Sequence, residues 1–302
     1  MEIERKYPFE NVVFEGGGVL GTAYQGAWKI LEDYKIAHQI KRVCGTSAGT
    51  ISATMIALGY SAEECKTILI DAPFNTFKDG GLLGLWRFFF RFGWNKGDKM
   101  ESFFEDIIER KTGNRKSTFK DFKEKGYKDL RLVGTNLTQN KSVIFSHTCT
   151  PNMPVAEAMR ISSSVPLFFE AKYYKGDLHV DGGLMRNYAI SEFDKKHPPQ
   201  NTIGFFLTDP ERKAKPIKNL ISYKEHFIAS LKNGLYVQIK SEPLDDNRTV
   251  FLDDLGIGAL DFSISKEQRL ALMQQGENAT EEFLKNWPDK KPTTSLMLSE
   301  CS

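Results

Sequence analysis

The sequence is poor in the features that define several common classes of protein. Its four cysteines are scattered without paired spacing, which favours neither a disulfide framework nor a zinc site. No apolar run reaches the roughly 18 residues of a membrane span, and residues 1–8 lack the apolar core of a signal peptide. With 41 basic and 39 acidic residues, the chain has no charge excess that favours nucleic acid. We therefore expect a cytoplasmic protein without a nucleic-acid partner.

What the 302 residues do contain is an alternation of short apolar runs with helical patterns. A strand predicted at 11–14 precedes a helix that begins near Ala23, and a second strand near 41–44 precedes a helix over 48–58. Further strands are predicted at 130–133, 142–145 and 202–207. This order favours a three-layer α/β/α sandwich around a mostly parallel sheet.

Residues 72–128 differ in composition from the rest of the chain. Residues 80–94 are rich in Leu, Phe and Trp, with two arginines between them, and a charged stretch with spaced phenylalanines follows. We interpret 72–128 as a cap or insertion in a single domain, 1–287, that is followed by a polar tail, 288–302. The segment 80–94 is too short to span a bilayer, and its composition suits either a peripheral membrane contact or an ordinary cap over the core.

An apolar stripe at helical spacing follows the strand at 202–207. We expect this helix to pack on the body of the domain, because a stripe on one side of a helix usually faces the core. The stripe consists of Ile217, Leu220, Ile221, Ile228, Leu231 and Leu235.

The segment Gly45–Gly49 (GTSAG) has the G-x-S-x-G form of a nucleophile elbow, with Ser47 at its centre. It follows a predicted strand and precedes a predicted helix, as that turn requires. Glycines fit the flanking positions because they lack a Cβ atom, and the helix N-terminus favours negative charge beside the serine. An ordinary strand-to-helix turn shows the same pattern, so this motif alone does not identify an enzyme.

A glycine run over 15–21 (EGGGVLG) also lies between a strand and a helix. Its Gly16, Gly18 and Gly21 match the dinucleotide fingerprint, but the second strand lacks the acidic residue that would hold a ribose. Alternatively, the N–H groups of Gly16, Gly17 and Gly18 stabilise the oxyanion of a tetrahedral intermediate. We favour the oxyanion hole.

The base that would activate Ser47 is less obvious, because a serine hydrolase usually has a histidine. None of the five histidines lies in a tight glycine context: His38, His147, His179, His197 and His226. His179 would share a strand face with Asp181, although a surface histidine on the hairpin predicted over 173–180 is the simpler interpretation. Asp181, followed by Gly182 and Gly183, is either a turn residue or a base bonded directly to Ser47.

Taken in order, the glycine run, the serine motif and Asp181–Gly183 resemble the motifs of the patatin-like phospholipase family. Residues 158–169 (AMRISSSVPLFF) resemble the family's arginine-to-proline segment, and residues 248–276 resemble bacterial members. The resemblance covers roughly 9–286. Leu20 stands where the family often has a basic residue, and residues 82–94 match no family motif.

The resemblance implies a lipid acyl hydrolase with a Ser-Asp dyad, in which Ser47 attacks the ester and Asp181 is the base. It implies Gly16, Gly17 and Gly18 as oxyanion donors, a membrane lipid or phospholipid as substrate, and no cofactor or metal. The remaining motif glycines are Gly21, Gly45, Gly49, Gly182 and Gly183. Two alternatives stay open: a soluble esterase or thioesterase with the same dyad, and a non-catalytic lipid-binding module, which the complete motifs disfavour.

Overall fold

The computed structural model describes residues 7–81, 84–209, 216–218 and 220–287. The strands are β1 (Asn11–Phe14), β2 (Arg42–Thr46), β3 (Gly93–Asn95), β4 (Asp129–Asn136), β5 (Lys141–Phe145), β6 (Leu167–Phe169), β7 (Lys172–Tyr174), β8 (Asp177–Asp181), β9 (Thr202–Thr208) and β10 (Thr249–Asp253). The α-helices are α1 (Ala23–Asp33), α2 (Gly49–Ala57), α3 (Ala62–Ile70), α4 (Gly84–Phe90), α5 (Asp98–Thr112), α6 (Phe119–Glu124), α7 (Val155–Ser162), α8 (Gly183–Arg186), α9 (Leu220–Ser241), α10 (Pro243–Asn247) and α11 (Lys266–Lys285). Short 3₁₀ helices occur at Gly18–Thr22, Ala37–Gln39, Phe74–Phe77 and Pro199–Asn201.

Eight of the described strands form one sheet, in which β10, β9, β1, β2 and β4 lie side by side and pair in parallel. β5 and β8 pair with β4 in the antiparallel sense, and β7 pairs with β8. β3 and β6 form a separate two-stranded parallel sheet. The predicted mostly parallel sheet is therefore confirmed, with an antiparallel margin beyond β4.

Both faces of the main sheet are buried. Successive residues of its strands pack into two different apolar clusters, one on each face. Val12 of β1 and Phe205 of β9 belong to the larger cluster, which also contains residues of α1, α2 and α11. Val13 and Phe206 belong to the smaller cluster, which includes residues of 188–193 and of α9. Burial on both faces explains why these strands are continuous apolar runs, and it confirms the three-layer α/β/α arrangement.

The region predicted as a cap, 72–128, contains both buried and exposed elements. Phe104 of α5 and Phe122 of α6 are part of the larger core cluster, whereas Trp86 and Phe89 of α4 are 55% and 66% exposed. The division of the chain into one domain with an inserted cap stays a prediction. Within the described residues, no helix has both the length and the apolar character needed to cross a bilayer.

Two other predicted segments lie partly or wholly outside the described residues. Of the predicted apolar stripe, Ile217 is exposed and precedes α9, whereas Leu235 packs against the smaller cluster. The side chains of the other four members of the stripe lie outside the described part of the chain, as do Leu82, Leu83 and the tail at 288–302.

The edge of β4 is the part of the sheet that positions the site. β5 pairs along one edge of β4, and β2 and β8 share the other edge. β2 runs parallel to β4 and ends at Thr46, opposite Val133, whereas β8 runs antiparallel and ends at Asp181, opposite Gly134. The ends of β2 and β8 therefore meet head to head, although they are far apart in the sequence.

The predicted hairpin over 173–180 is confirmed and delivers the end of β8 to this point. β7 and β8 pair around a two-residue turn at Lys175 and Gly176, whose φ angles are 52° and 86°. Positive φ at both positions gives the turn a twist that matches that of the two strands. Gly176 adopts positive φ without steric strain because it has no Cβ atom.

Candidate active site

Ser47 lies in the sharp turn between β2 and α2. Its φ of 50° is a conformation that non-glycine residues rarely adopt and that costs roughly 1 kcal/mol. Hydrogen bonds fix the strained turn: the Ser47 N–H donates to Ser162 Oγ at 2.9 Å, and the Ser47 carbonyl accepts from the Thr50 hydroxyl at 2.6 Å. The side chain is mostly buried but lines an open pocket. The fold thus holds one hydroxyl at a fixed point of the pocket wall.

The glycines on either side of Ser47 are required by close packing of backbone on backbone. A Cβ atom at Gly45 would overlap the Gly49 carbonyl, and a Cβ at Gly49 would lie 2.6 Å from the Phe14 carbonyl oxygen. Any larger residue would therefore push α2 away from β1 and β2. The G-x-S-x-G spacing reflects this packing as well as the turn itself.

Asp181 is buried at the end of β8, and its two carboxylate oxygens have different partners. Ser47 Oγ donates to Oδ2 at 2.7 Å, and the Gly183 N–H donates to Oδ1 at 2.7 Å. Burial raises the pKa of Asp181 to about 7, against the lowering effect of these two hydrogen bonds. A carboxyl group with a pKa near neutrality can both accept and return a proton at physiological pH.

The glycine run places its amides next to this pair, but its three glycines are not equivalent. The Gly16 N–H already donates to the Asn187 carbonyl at 3.1 Å. The N–H groups of Gly17 and Gly18 have no acceptor within the described residues. Gly18 has a φ of 57°, lines the same pocket as Ser47, and has no room for a Cβ beside the Ala259 carbonyl.

Asn187, which the sequence reasoning did not identify, connects the glycine run to the segment after Asp181. Its Nδ2 donates to Glu15 Oε1 at 2.8 Å and to the Gly16 carbonyl at 3.1 Å. Glu15 is fully buried, and its Oε2 accepts from the Leu207 N–H at 2.7 Å. No spacing rule predicts this contact, because Glu15 and Asn187 are brought together only by the completed sheet.

Arg160 of α7 is another buried residue that supports the pocket. Its guanidinium donates to the carbonyls of Lys96, Gly97 and Glu170 and to Ser164 Oγ. These acceptors belong to the segments that follow β3, α7 and β6. The arginine therefore ties the small β3–β6 sheet to the wall of the pocket.

The pocket beside Ser47 is almost entirely apolar. It measures about 540 Å³ including open solvent at its mouth, and Thr22, Ser47, Ser163 and the glycine run provide the polar part of its lining. The apolar part includes Phe74, Phe77, Met100, Phe104, Phe169 and Phe262. Such walls favour a hydrocarbon chain over a polar substrate.

The interpretation of His179 as a surface histidine is wrong. Its side chain is 4% exposed, with the rings of Phe145 and Tyr174 centred 6.2 and 6.0 Å away. Its Nδ1 lies 3.0 Å from the Asp177 carbonyl oxygen. No hydrogen bond joins its ring to Ser47 or Asp181 within the described residues. Aromatic packing of the hairpin accounts for its burial.

Candidate metal ligands do not cluster in the part of the chain that the structure describes. No group of three or more His, Cys, Asp or Glu residues there is arranged to hold a metal ion. Cys44 and Cys65 are buried thiols, and Cys149 is exposed.

Comparison with known proteins identifies relatives that match most of the chain. The model of the family described as patatin-like phospholipase matches residues 12–194. A Bacillus subtilis (strain 168) protein, YqhO, described as uncharacterized, is 34% identical over 91% of this chain and 98% of its own length. An uncharacterized protein of Acanthamoeba polyphaga mimivirus is 32% identical over 88% of this chain and 91% of its own. A protein of Invertebrate iridescent virus 6 named "Probable lipid hydrolase" is 27% identical over 66% of this chain and 68% of its own length.

Solved structures share the fold at low sequence identity. VipD from Legionella pneumophila superposes with a TM-score of 0.68 at 14% identity, over 92% of this chain and 67% of VipD. ExoU, in its complex with SpcU from Pseudomonas aeruginosa, gives a TM-score of 0.58 at 20% identity, over 93% of this chain and 52% of ExoU. The family match spans more than half of the chain and includes Ser47 and Asp181. The chain therefore belongs to the patatin-like phospholipase family.

Proposed function

We propose that the protein is a lipid acyl hydrolase of the phospholipase A type that cleaves carboxylic ester bonds of membrane lipids. The observation that carries this proposal is the 2.7 Å hydrogen bond from Ser47 Oγ to Asp181 Oδ2 at the wall of an apolar pocket. Membership of the patatin-like phospholipase family supports it, as does similarity to the viral protein named a probable lipid hydrolase.

In the first half of the proposed reaction, Asp181 Oδ2 takes the proton of Ser47 as Oγ attacks the ester carbonyl carbon. The N–H groups of Gly17 and Gly18, which are free of protein acceptors in the described part of the chain, stabilise the resulting oxyanion. We leave Gly16 out of this donor set because its N–H is bonded to the Asn187 carbonyl. Collapse of the intermediate breaks the ester C–O bond, and the leaving alcohol takes the proton from Asp181.

In the second half, water hydrolyses the acyl-enzyme. Asp181 accepts a proton from the water as its oxygen attacks the acyl carbonyl, and the same amides stabilise the second oxyanion. Collapse releases the fatty acid, and the proton returns from Asp181 to Ser47 Oγ. No step requires a metal or a cofactor, because the serine supplies the nucleophile and the aspartate transfers each proton.

The proposal includes a peripheral membrane contact through 80–94. An α4 surface of six exposed apolar side chains is formed by Leu85, Trp86, Phe89, Phe90, Phe92 and Leu167, each between 46% and 66% exposed. Leu167 joins this surface because it pairs with Gly93 in the β3–β6 sheet. Exposed apolar groups of this kind, with arginines nearby, suit the interface of a bilayer.

Product analysis on a defined lipid panel tests the function. Wild-type protein is expected to release free fatty acid and a lysolipid from diacyl phospholipids, whereas Ser47→Ala releases neither. If the wild-type protein instead prefers short dispersed esters to lipid vesicles, the protein is a soluble esterase or thioesterase. Equal product release by wild type and Ser47→Ala would contradict the assignment of Ser47.

A further inference from the structure

One side chain of α4 points the opposite way from its neighbours. Arg87 is 6% exposed, although Trp86 before it and Phe89 two residues later are more than half exposed. Its Nε is 3.4 Å from the Trp94 carbonyl oxygen, which is a long hydrogen bond. Its buried Nη2 has no hydrogen-bond partner within the described residues. A guanidinium taken from water without an anion is costly, and this one lies directly beneath an exposed apolar surface.

Two carboxylates in the surrounding segments have other partners. Glu170 pairs with Arg91, one turn after Arg87, at 3.3 Å. Asp79 accepts from the N–H groups of Gly97 and Asp98, at 2.8 and 3.0 Å. No ion pair is formed by Arg87 in the part of the chain that the structure describes. Within the described residues, the positive charge of Arg87 is therefore not neutralised by a carboxylate.

Arg87 also lies next to the substrate pocket through a short series of contacts. It contacts the Trp94 carbonyl, and the following residue of β3, Asn95, pairs with Phe169 of β6. Phe169 lines the pocket that contains Ser47. An anion held by Arg87 is thus attached to the outer wall of the pocket, on the side where the α4 surface is exposed.

We propose that Arg87 binds the phosphate of a phospholipid when the α4 surface enters the bilayer interface, so that the substrates are phospholipids in preference to neutral glycerides. The inference rests on the proposed lipid hydrolase function. A guanidinium forms two parallel hydrogen bonds with phosphate oxygens. Aromatic side chains buried at the interface bring a neighbouring arginine to the level of the phosphates.

The test compares two substrates that differ only in the headgroup. Dioleoylphosphatidylcholine and dioleoylglycerol are presented at equal mole fraction in micelles of one uncharged detergent. Arg87→Met is expected to lower kcat/KM on the phospholipid roughly tenfold or more, with little change on the glyceride, and Arg87→Lys is expected to retain part of the activity. The matched control is Arg110→Met, at an exposed arginine in the last turn of α5 that lies outside 80–94.

Equal losses on both lipids would make Arg87 a structural residue and overturn the proposal, as would no loss on either. A further arm measures dioleoylglycerol hydrolysis in micelles that contain a diether phosphatidylcholine, which cannot be hydrolysed. A loss with Arg87→Met on phosphatidylcholine and in that arm, but not on dioleoylglycerol without phospholipid, would support phosphate binding and assign the phosphate to the surrounding lipid. A loss on phosphatidylcholine alone assigns the phosphate to the substrate.

Failure of the hydrolase function is recognised separately by flotation. If wild-type protein hydrolyses neither lipid, its binding to lipid surfaces is compared with that of Arg87→Met by flotation. One surface is phosphatidylcholine vesicles, and the other is oil droplets coated with a phosphate-free glycolipid. Weaker flotation of Arg87→Met on the vesicles only would support phosphate binding. Flotation independent of Arg87 on both surfaces would overturn it.

Discussion

The dyad region and the α4 surface are built in opposite ways. Around Ser47 and Asp181, short hydrogen bonds tie the side chains and the elbow backbone to the sheet. On α4, large apolar side chains face outward and the buried Arg87 lacks a partner within the described residues. Ser47 and Asp181 therefore have partners within the protein, whereas Arg87 has no anionic partner in the part of the chain that the structure describes. Substitutions should therefore affect chemistry in one region and contact with lipid in the other.

The largest expected effect comes from breaking the dyad. Ser47→Ala and Asp181→Asn should each lower kcat by roughly 10⁴-fold or more, and the double variant should be no worse, because nucleophile and base act as a unit. Fatty acid release is the measurement, and an unchanged circular dichroism spectrum shows that the fold is intact. Near-full activity in Asp181→Asn would mean that the base lies elsewhere.

The burial of Asp181 predicts a second, pH-dependent effect. Only the carboxylate accepts the serine proton, and burial raises its pKa to about 7, so kcat/KM should rise with pH through about 7 and level off above it. A soluble ester gives the cleanest profile, since lipid packing then plays no part. A profile already flat from pH 5 to pH 9 would contradict the assignment.

The same pKa has the opposite consequence for stability. The folded state holds its proton on Asp181 up to about pH 7, whereas an unfolded aspartate loses it near pH 4. Stability is therefore lost as pH rises from about 4 to 7, by at most about 4 kcal/mol. Asp181→Asn removes this loss, so its Tm should exceed that of the wild type at pH 8, with a smaller difference at pH 5. A lower Tm at pH 8 would contradict this.

Asn187→Ala should give an intermediate effect within the dyad region. It removes the two hydrogen bonds that fix the glycine run against Glu15 and the Gly16 carbonyl. We expect kcat on a soluble ester to fall roughly 10- to 100-fold, since misplaced oxyanion donors weaken transition-state binding. The control is Asn278→Ala, on the exposed side of α11. A reduced Tm with unchanged kcat would limit Asn187 to a structural role.

The α4 surface should show a smaller effect, and one confined to lipid substrates. Trp86→Ser combined with Phe89→Ser should weaken vesicle binding and lower lipid hydrolysis roughly tenfold, because apolar area is no longer buried at the interface. Hydrolysis of a short soluble ester should stay within about twofold, and Leu270→Ser, at an exposed apolar position of α11, serves as the control. Parallel losses of both activities and of Tm would make α4 part of the core.

The smallest expected effect is that of a chelator. Fatty acid release should be unchanged in EDTA, because the proposed reaction uses a serine nucleophile and a carboxylate base. A loss in EDTA that one added metal ion restores would contradict this mechanism.

The two regions also differ in how far the sequence predicts them. The sheet strands, the hairpin and the serine turn follow from local patterns: apolar runs, turn residues and glycines at fixed spacing. The contact between Ser47 and Asp181 was anticipated because both residues end a predicted strand next to glycines, with the family resemblance indicating the pairing. Which glycine amides are free was not predictable, since the partner of the Gly16 N–H lies at Asn187.

Several side-chain environments depended on long-range packing that no local pattern encodes. The burial of His179 results from the rings of Phe145 on β5 and Tyr174 on β7. Arg87 and Arg91 look alike in the sequence, yet one is buried and the other is half exposed and paired. The difference depends on where α4 rests against Trp94, which requires the β3–β6 pairing to be known.

The shared edge of β4 has a consequence for how such proteins diversify. Because Thr46 and Asp181 are set opposite successive residues of one strand, strand register fixes the catalytic geometry independently of how much chain connects the strands. Lengthening a surface loop adds little entropy cost, so exposed loops between β2 and β4 can lengthen during evolution without changing this geometry. A one-residue shift of β8 along β4, in contrast, would turn Asp181 to the opposite face. Selection is therefore expected to tolerate insertions around α4 and to eliminate single-residue insertions within β8.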